Sequence, residues 1–546
     1  MALVGDPSST VTSGWKRSFS GAKRIELISS LQNLNFSSLP EIIVVPSSFV
    51  TTIQDLTSIQ EIAKSQSQLV FVIDTESELD QSIKEICGLS DTSVLGLGEW
   101  YLRPLGISRN PDKLPYEEFA IRAYCTELTL RFDSVEILGQ ISAGYRNRSI
   151  AVRYNNILTL GFSLLRDEDF DVELVRTIHR FCFSPKPEIK APIVVGIIGY
   201  GAYGGMGHFH GTGCTQTEFL EFGAIAEHNA ERRKSAITEY PNITTYEHAL
   251  DLIRDNDIDL VIIATPPDTH FQLAKIALEN NKHVVLEKPM CLTVSEADEL
   301  IELSRSAKRV LTVHQNRRFD GDFQALLEIV NSGELGEIFN IETFVGSFEH
   351  PCRAWHSEES ISGGAAYDWG SHHIDWILRL YQQVPAEVTV NVHKRVWNDI
   401  TNADQIRIHL TFDDGREAEF VQSDVAAIRK PKFYVQGTKG TAVGHYAPVT
   451  NESVNFPFGY QVTKFHHAEA PVSFTMTTYE HPSKSRTTVV DPTKVLPFEF
   501  HRNLANHLVF GEELSITPES VRPVIEILEV SQSLSNSNQR YARLTR

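Results

Sequence analysis

The segment Ser362-Gly363-Gly364-Ala365-Ala366-Tyr367-Asp368-Trp369-Gly370-Ser371-His372-His373-Ile374-Asp375-Trp376-Ile377-Leu378 holds ionisable residues at i, i+4 and i+7. A helix from Tyr367 puts Asp368, His372 and Asp375 on one face, among Trp369, Ile374, Trp376, Ile377 and Leu378. Two readings fit that polar stripe. One is an internal Asp–His pair closing a helix start. The other is an imidazole that moves a proton near neutral pH, oriented by the Asp368 carboxylate. Lys288, in Leu286-Glu287-Lys288-Pro289, ends an apolar run, where a lysine is either a surface charge or a reacting cation.

Such side chains need a frame. The run Val194-Val195-Gly196-Ile197-Ile198 empties into Gly199-Tyr200-Gly201-Ala202-Tyr203-Gly204, a buried-strand pattern followed by G-x-G-x-x-G. Glycines there let the backbone turn tightly and approach a pyrophosphate, which the free N–H groups of the next helix receive. Glu227 stands at the end of the second strand, about twenty residues on, where a carboxylate bonds a ribose diol and favours NAD. Arg232 and Arg233 follow closely and could instead receive the 2′-phosphate of NADP. The third strand leaves through Thr265, Pro266 and His270 at the carboxyl edge of the sheet, as does the fourth through Glu287 and Lys288, so this edge lines the cofactor.

Strand patterns at Ile193–Ile198, Phe222–Ala226, Asp259–Ala264, His283–Glu287 and Arg309–Val313 alternate with helical ones at Tyr246–Asn256, Asp268–Asn281 and Thr293–Ala307. That alternation predicts a doubly wound parallel sheet over residues 190–315. Residues 316–546 are β-rich, with strands at Phe339–Phe348, Glu387–Val396, Gln405–Phe412 and Glu417–Gln422, an Asp413-Asp414-Gly415 turn, and a helix capped by Thr517. They predict an α/β domain with an open, mainly antiparallel sheet. Ahead of both, residues 18–185 carry strand runs such as Leu69–Asp74 and Ile150–Leu160 and helical runs at Glu78–Ile86 and Val172–Phe181, expected to form an accessory α/β domain. Residues 1–17 are expected to be a flexible tail, and the proline-spaced stretch Ser184–Pro192 a linker.

The 546-residue chain is 41% hydrophobic and 22% charged, the make-up of a globular protein, with no apolar run long enough to span a bilayer. A formal charge of −20 argues against nucleic acid as a partner and favours a small-molecule substrate. Six scattered cysteines without C-x-x-C suggest a reducing compartment, so the cytoplasm is expected. The Ser-rich, basic first residues have the composition either of a transit peptide or of a solvated tail.

Gly199-x-Gly201-x-x-Gly204, Glu287-Lys288-Pro289 and Gly363-Gly364-x-x-x-Asp368-x-Gly370-x-His372-x-x-Asp375 occur in this order, and Val313-His314-Gln315-Asn316-Arg317-Arg318-Phe319-Asp320 lies between the last two. Together they resemble the Gfo/Idh/MocA family of glucose–fructose oxidoreductase and inositol dehydrogenase, over about residues 192–546. The resemblance implies a Rossmann domain followed by an α/β domain whose open sheet makes homo-oligomer contacts. It also implies Lys288, Asp368 and His372 as the catalytic group, nicotinamide as hydride carrier, and a sugar, polyol or sugar derivative as substrate. Two departures stand out. Gly205-Met206-Gly207-His208-Phe209-His210-Gly211-Thr212-Gly213-Cys214 is too glycine-rich for an immediate helix, so a longer phosphate-binding loop is expected. The N-terminal region has no counterpart in the family core. Its Ala151–Phe162 faintly resembles the last strands of glutamine-amidotransferase-like domains, without the Cys-centred elbow or the His-Pro-Glu.

The expected function is thus that of an NAD(P)-dependent oxidoreductase acting on a carbohydrate-like alcohol. Position alone makes Asn316, Arg317, Trp355, His356 and Trp369 candidate substrate contacts beside His372. No metal is expected, because glycine spacing gives His208, His210 and Cys214 no rigid donor set. Two alternatives remain: redox-neutral elimination or hydrolysis with tightly held NAD, and a nucleotide-binding regulatory protein without turnover.

Overall fold

Leu260–Ile263 is apolar throughout and buried at every residue in the computed structural model, as a strand covered on both faces must be. The structure describes residues 2–4, 26–36, 39–40, 42–73, 79–104, 119–132, 134–143, 146–164, 192–201, 205–351, 355–446, 451–455, 461–466, 471–481, 484–493, 495, 497–537 and 541–544. The chain divides into two compact units, residues 1–188 with 509–512, and residues 189–508 with 513–546.

The second unit opens with six strands, β1 (Ile193–Ile198), β2 (Leu220–Ala226), β3 (Thr244–Tyr246), β4 (Leu260–Ile263), β5 (His283–Leu286) and β6 (Leu311–Val313). They pair in parallel in the order β3-β2-β1-β4-β5-β6, the doubly wound arrangement that places ligands at the carboxyl ends of the strands. The helix Val294–Ala307 begins at the capping box that its sequence announces: Thr293 accepts from Glu296 N–H, and Glu296 accepts from Thr293 N–H.

A correction concerns the glycine-rich segment, which forms helix α1 (Met206–Gln216) and not an extended loop. Helix propensity is overridden by packing. A Cβ on Gly207 would lie 2.3 Å from the Gly199 carbonyl oxygen, and one on Gly211 would lie 2.8 Å from the Phe222 ring. These glycines let the helix sit directly on the strand turn, which repays their backbone entropy.

After α2 (Gly321–Asn331) comes a nine-stranded sheet, mainly antiparallel, in which Ile338–Gly346 pairs in parallel with Glu417–Ser423 and antiparallel with Phe433–Gly437. The hairpin between Gln405–Thr411 and Glu417–Ser423 turns at Gly415, where φ is +83°. Helices α3 (Ala365–Tyr381) and α5 (Pro518–Ser535) pack on this sheet, burying Trp376, Phe420, Val524 and Leu528, and α4 (Glu499–Phe510) precedes α5. Thr517 caps α5 by accepting from Ser520 N–H.

The first unit has its own core, including Ile43, Ile59, Phe71 and Val152, around a mixed ten-stranded sheet. Two expectations are corrected there. The run Ile150–Leu160 is not one strand but parts of two, Arg146–Tyr154 and Ile157–Leu160, which form a hairpin turning at Asn155 with φ +54°. The expected tail contains Ala2–Val4, an extended triplet whose backbone pairs with Glu26–Ile28 and Ile43–Val44. The helix read at Val172–Phe181 and the linker up to Ala191 lie outside the described residues. Among the described residues no helix is long and apolar enough to cross a membrane.

Candidate active site

Strand β5 delivers Lys288 to the carboxyl edge of the parallel sheet, and the start of α3 meets it there. Gly363 and Gly364 hold positive φ values of 88° and 116°, and a Cβ on Gly364 would fall 2.0 Å from the Gln532 side chain. The pair of glycines is therefore required for the first turn of α3 to approach α5. That turn carries Asp368, whose Oδ1 is 2.5 Å from Lys288 Nζ, while its carbonyl oxygen accepts from the same ammonium at 3.2 Å. Burial pushes the Asp368 carboxyl up, but the Lys288 charge and hydrogen bond outweigh it and hold the group below the usual range.

His372 lies one helical turn on and is buried. Burial first, then the charges of Lys288 and Arg317, hold it well below 6.5, so at neutral pH it is an uncharged acceptor of protons. The pairing expected within α3 is different from the one observed: Asp368 bonds Lys288 and not His372. Asp375 is also spoken for. Its carboxylate forms a buried, two-pronged ion pair with Arg318 at 2.6 and 2.8 Å, which ties α3 to the turn Asn316–Phe319.

Arg317, next to Asn316 on that turn, places its guanidinium 4.8 Å from the Trp369 ring centroid and bonds Asp320 at 3.1 Å. Trp355 stacks on His356 at 3.6 Å, and His356 is close enough to Asp368 and Lys288 to feel both charges. Sequence reasoning missed Asp424, just past the strand Glu417–Ser423. Burial first, then Asp368 and Asp404, push its carboxyl up to about 7. No motif surrounds Asp424, so only the fold brings it near Asp368.

At the cofactor edge, Gly199 turns with φ +95°, and a Cβ there would lie 2.6 Å from the Ala264 carbonyl oxygen. Gly201 is described, while Ala202, Tyr203 and Gly204 lie outside the described residues. Glu227 accepts from Tyr200 N–H and Asn229 N–H, both at 2.9 Å. The two arginines divide. Arg233 is held by the carbonyls of Glu227 and His228 and by Glu247. Arg232 lies over the glycine turn, its NH1 3.1 Å from where a Gly201 Cβ would be and 3.9 Å from Glu227.

Thr265 and Pro266 stand where β4 ends, with Thr265 Oγ1 2.6 Å from Thr269 Oγ1. His270 departs from its expected place facing the cofactor. It is fully buried, its ring nitrogens 2.8 and 2.9 Å from the Pro289 and Thr265 carbonyl oxygens, bracing two loops together. Glu287 likewise turns inward, to His210, His314 and Lys288 N–H. His208, His210 and Cys214 form no common donor set among the described residues; the imidazoles that meet are His210, His314 and His501.

These features fit a dinucleotide. A tight glycine turn leads into a helix start, with a carboxylate and a guanidinium at the end of β2. Residues 193–315 match the profile described as an oxidoreductase family with an NAD-binding Rossmann fold, and residues 323–443 match the Gfo/Idh/MocA C-terminal domain. The uncharacterised oxidoreductase YdgJ of Escherichia coli is 33% identical over 252 residues, covering 46% of this chain and 70% of YdgJ. The chain belongs to the Gfo/Idh/MocA family. Its similarity to the scyllo-inositol 2-dehydrogenase (NADP(+)) IolW of Bacillus subtilis is 25% identity over 350 residues, 64% of this chain and 95% of IolW. Among solved structures, an NAD-binding protein from Listeria innocua shares 26% identity with a TM-score of 0.54, over 64% of this chain and 96% of that one. Residues 1–188 precede both matched profiles of this Gfo/Idh/MocA oxidoreductase.

Proposed function

We propose that this family member oxidises or regenerates a secondary alcohol of a sugar, an inositol or a sugar derivative, with Lys288, His372 and Asp368 as its catalytic group. The observation that supports this most is the 2.5 Å contact between Lys288 Nζ and Asp368 Oδ1, which joins residues 80 positions apart at the carboxyl edge of the Rossmann sheet. Bound nicotinamide supplies the two-electron hydride chemistry. The chain's own side chains handle the oxygen and the proton. Lys288 donates a hydrogen bond to the reacting oxygen as negative charge develops, and His372, uncharged, takes the hydroxyl proton. Asp368 keeps the lysine ammonium aimed. In the reductive direction the same groups return the proton. Asn316, Arg317, Trp355, His356 and Trp369 are the proposed substrate contacts; the nearness of Arg317 and His356 to Asp368 and of Trp369 to His372 supports the reading, since polar and aromatic groups suit a hydroxylated ring. The name of IolW, an inositol dehydrogenase, supports a polyol substrate.

Our primary assignment gives the ribose diol to Glu227, which its position at the end of β2 beside the glycine turn supports; Arg232, 3.9 Å away, is the alternative as a partner for a 2′-phosphate. Fluorescence titration of cofactor-free protein with NADH and NADPH tests the binding half. Glu227→Ala should weaken NADH more than NADPH, and the reverse would give selectivity to Arg232. A panel of inositols, sugars and sugar derivatives, followed by formation of reduced nicotinamide, tests the chemical half. Binding without turnover on any alcohol would remove the dehydrogenase assignment.

A further inference from the structure

Four buried ionisable groups behind the Lys288–Asp368 contact take no part in the proposed step: His210, Glu287, His314 and His501. They come from α1, the ends of β5 and β6, and α4, and they meet in one hydrogen-bonded chain. Burial raises the Glu287 pKa, but the His314 charge and the bonds from His210 and His314 prevail and hold it well below the carboxylate range. An ionised carboxylate only accepts, so each ring nitrogen facing it donates. His210 Nε2 and His314 Nδ1 donate to Oε1 at 2.9 and 2.8 Å, and Lys288 N–H donates to Oε2 at 3.1 Å.

The chain has a direction. With its proton on Nε2, neutral His210 offers a bare Nδ1, which accepts Nε2–H of His501 at 2.9 Å. His501 is then left with a bare Nδ1, and that atom is buried without a hydrogen-bond partner. The packing is built around this arrangement. A Cβ on Gly213 would lie 2.7 Å from the His501 ring, so glycine makes room for it, and Phe209 and Phe500 pack against the same ring. A metal ion suits the geometry less well. The three imidazoles offer donors within 4.8 Å of one another. Yet His210 Nδ1 and His501 Nε2 are 2.9 Å apart, the spacing of a direct hydrogen bond and closer than the about 3.3 Å between two nitrogens that each lie about 2.0 Å from one tetrahedral ion.

We propose that His210 and His501 are positioning residues for Lys288, acting through Glu287: the chain His501→His210→Glu287 clamps the Lys288 backbone so that its ammonium reaches Asp368. This rests on the assignment of Lys288 as the oxygen-binding cation, but its test needs no substrate. The full-length protein is acetylated in competition with a reference amine, and mass spectrometry reads the reactivity of Lys288 relative to Lys432, which is bonded to Asp322 elsewhere.

His210→Leu should raise Lys288 reactivity about tenfold, the effect of losing a hydrogen bond to a charged group, with Lys432 unchanged. His210→Gln, whose amide can replace the Nε2 donor, should stay near the parent protein. If His210→Leu does not fold, His501→Leu should move Lys288 in the same direction. Unchanged Lys288 reactivity in a folded leucine variant would overturn the proposal. So would Lys288 and Lys432 rising together, or one chelator-removable metal ion per chain. Failure of the alcohol panel with the acetylation result intact would sink the substrate assignment alone.

Discussion

Lys288 and His372 serve different halves of one step, and their surroundings suit those halves. The lysine is paired with Asp368, whereas the imidazole is buried near two cations and stays neutral. Lys288→Ala and His372→Ala should each lower kcat about a hundred- to ten-thousand-fold, the usual worth of acid–base assistance, while leaving the cofactor Kd unchanged. Near-normal turnover in either variant would show that the role was given to the wrong residue. Asp424 gives a second prediction at this scale. Its carboxyl is raised from the ordinary 3.8 to about 7, so across that window the folded protein keeps a proton that the unfolded chain has released. Its contribution to stability is fully present below about pH 4, declines as pH rises towards 7, and is flat beyond. Asp424→Asn keeps the shape of the protonated acid without the ionisation. The stability of the variant relative to the parent, from melting curves at several pH values, should therefore rise between pH 4 and 7; parallel curves would refute the shift.

At the scale of elements, α1 shows where residue counting misleads. Its glycines read as loop by propensity, but Gly207 and Gly211 each occupy a point where a side chain would collide with the strand turn or with Phe222. Gly207→Ala should destabilise the protein by about 1–3 kcal/mol, the usual cost of overpacking, and weaken cofactor binding, because the added methyl group pushes on the Gly199 turn. A melting temperature and NADH affinity equal to the parent's would mean that α1 can shift without moving that turn. The strands of the parallel sheet were legible because unbroken apolar runs leave no other way to bury both faces. The short edge strand Thr244–Tyr246 was not, since three partly exposed residues carry no period. The Ile150–Leu160 run hid a hairpin because Asn155 and Asn156 interrupt it without glycine or proline.

For the whole molecule, the chain divides into two units between residues 188 and 189, and each unit buries its own core. A chain beginning at Ile189 should therefore fold cooperatively and bind cofactor with the affinity of the full protein. Insoluble protein, or lost binding, would mean that the first unit completes the second. The sequence by itself determined the family, the doubly wound sheet, the capped helices and the short stretches that carry Lys288, Asp368 and His372, since all of these rest on local periods and spacings. Only the tertiary structure decided which groups pair. Asp368 goes to Lys288, Asp375 to Arg318, His270 to two carbonyls, and His210 to Glu287 and His501. A buried charge or ring nitrogen must find its partner wherever packing brings one within about 3 Å, and that partner is set by how distant segments meet rather than by spacing along one helix.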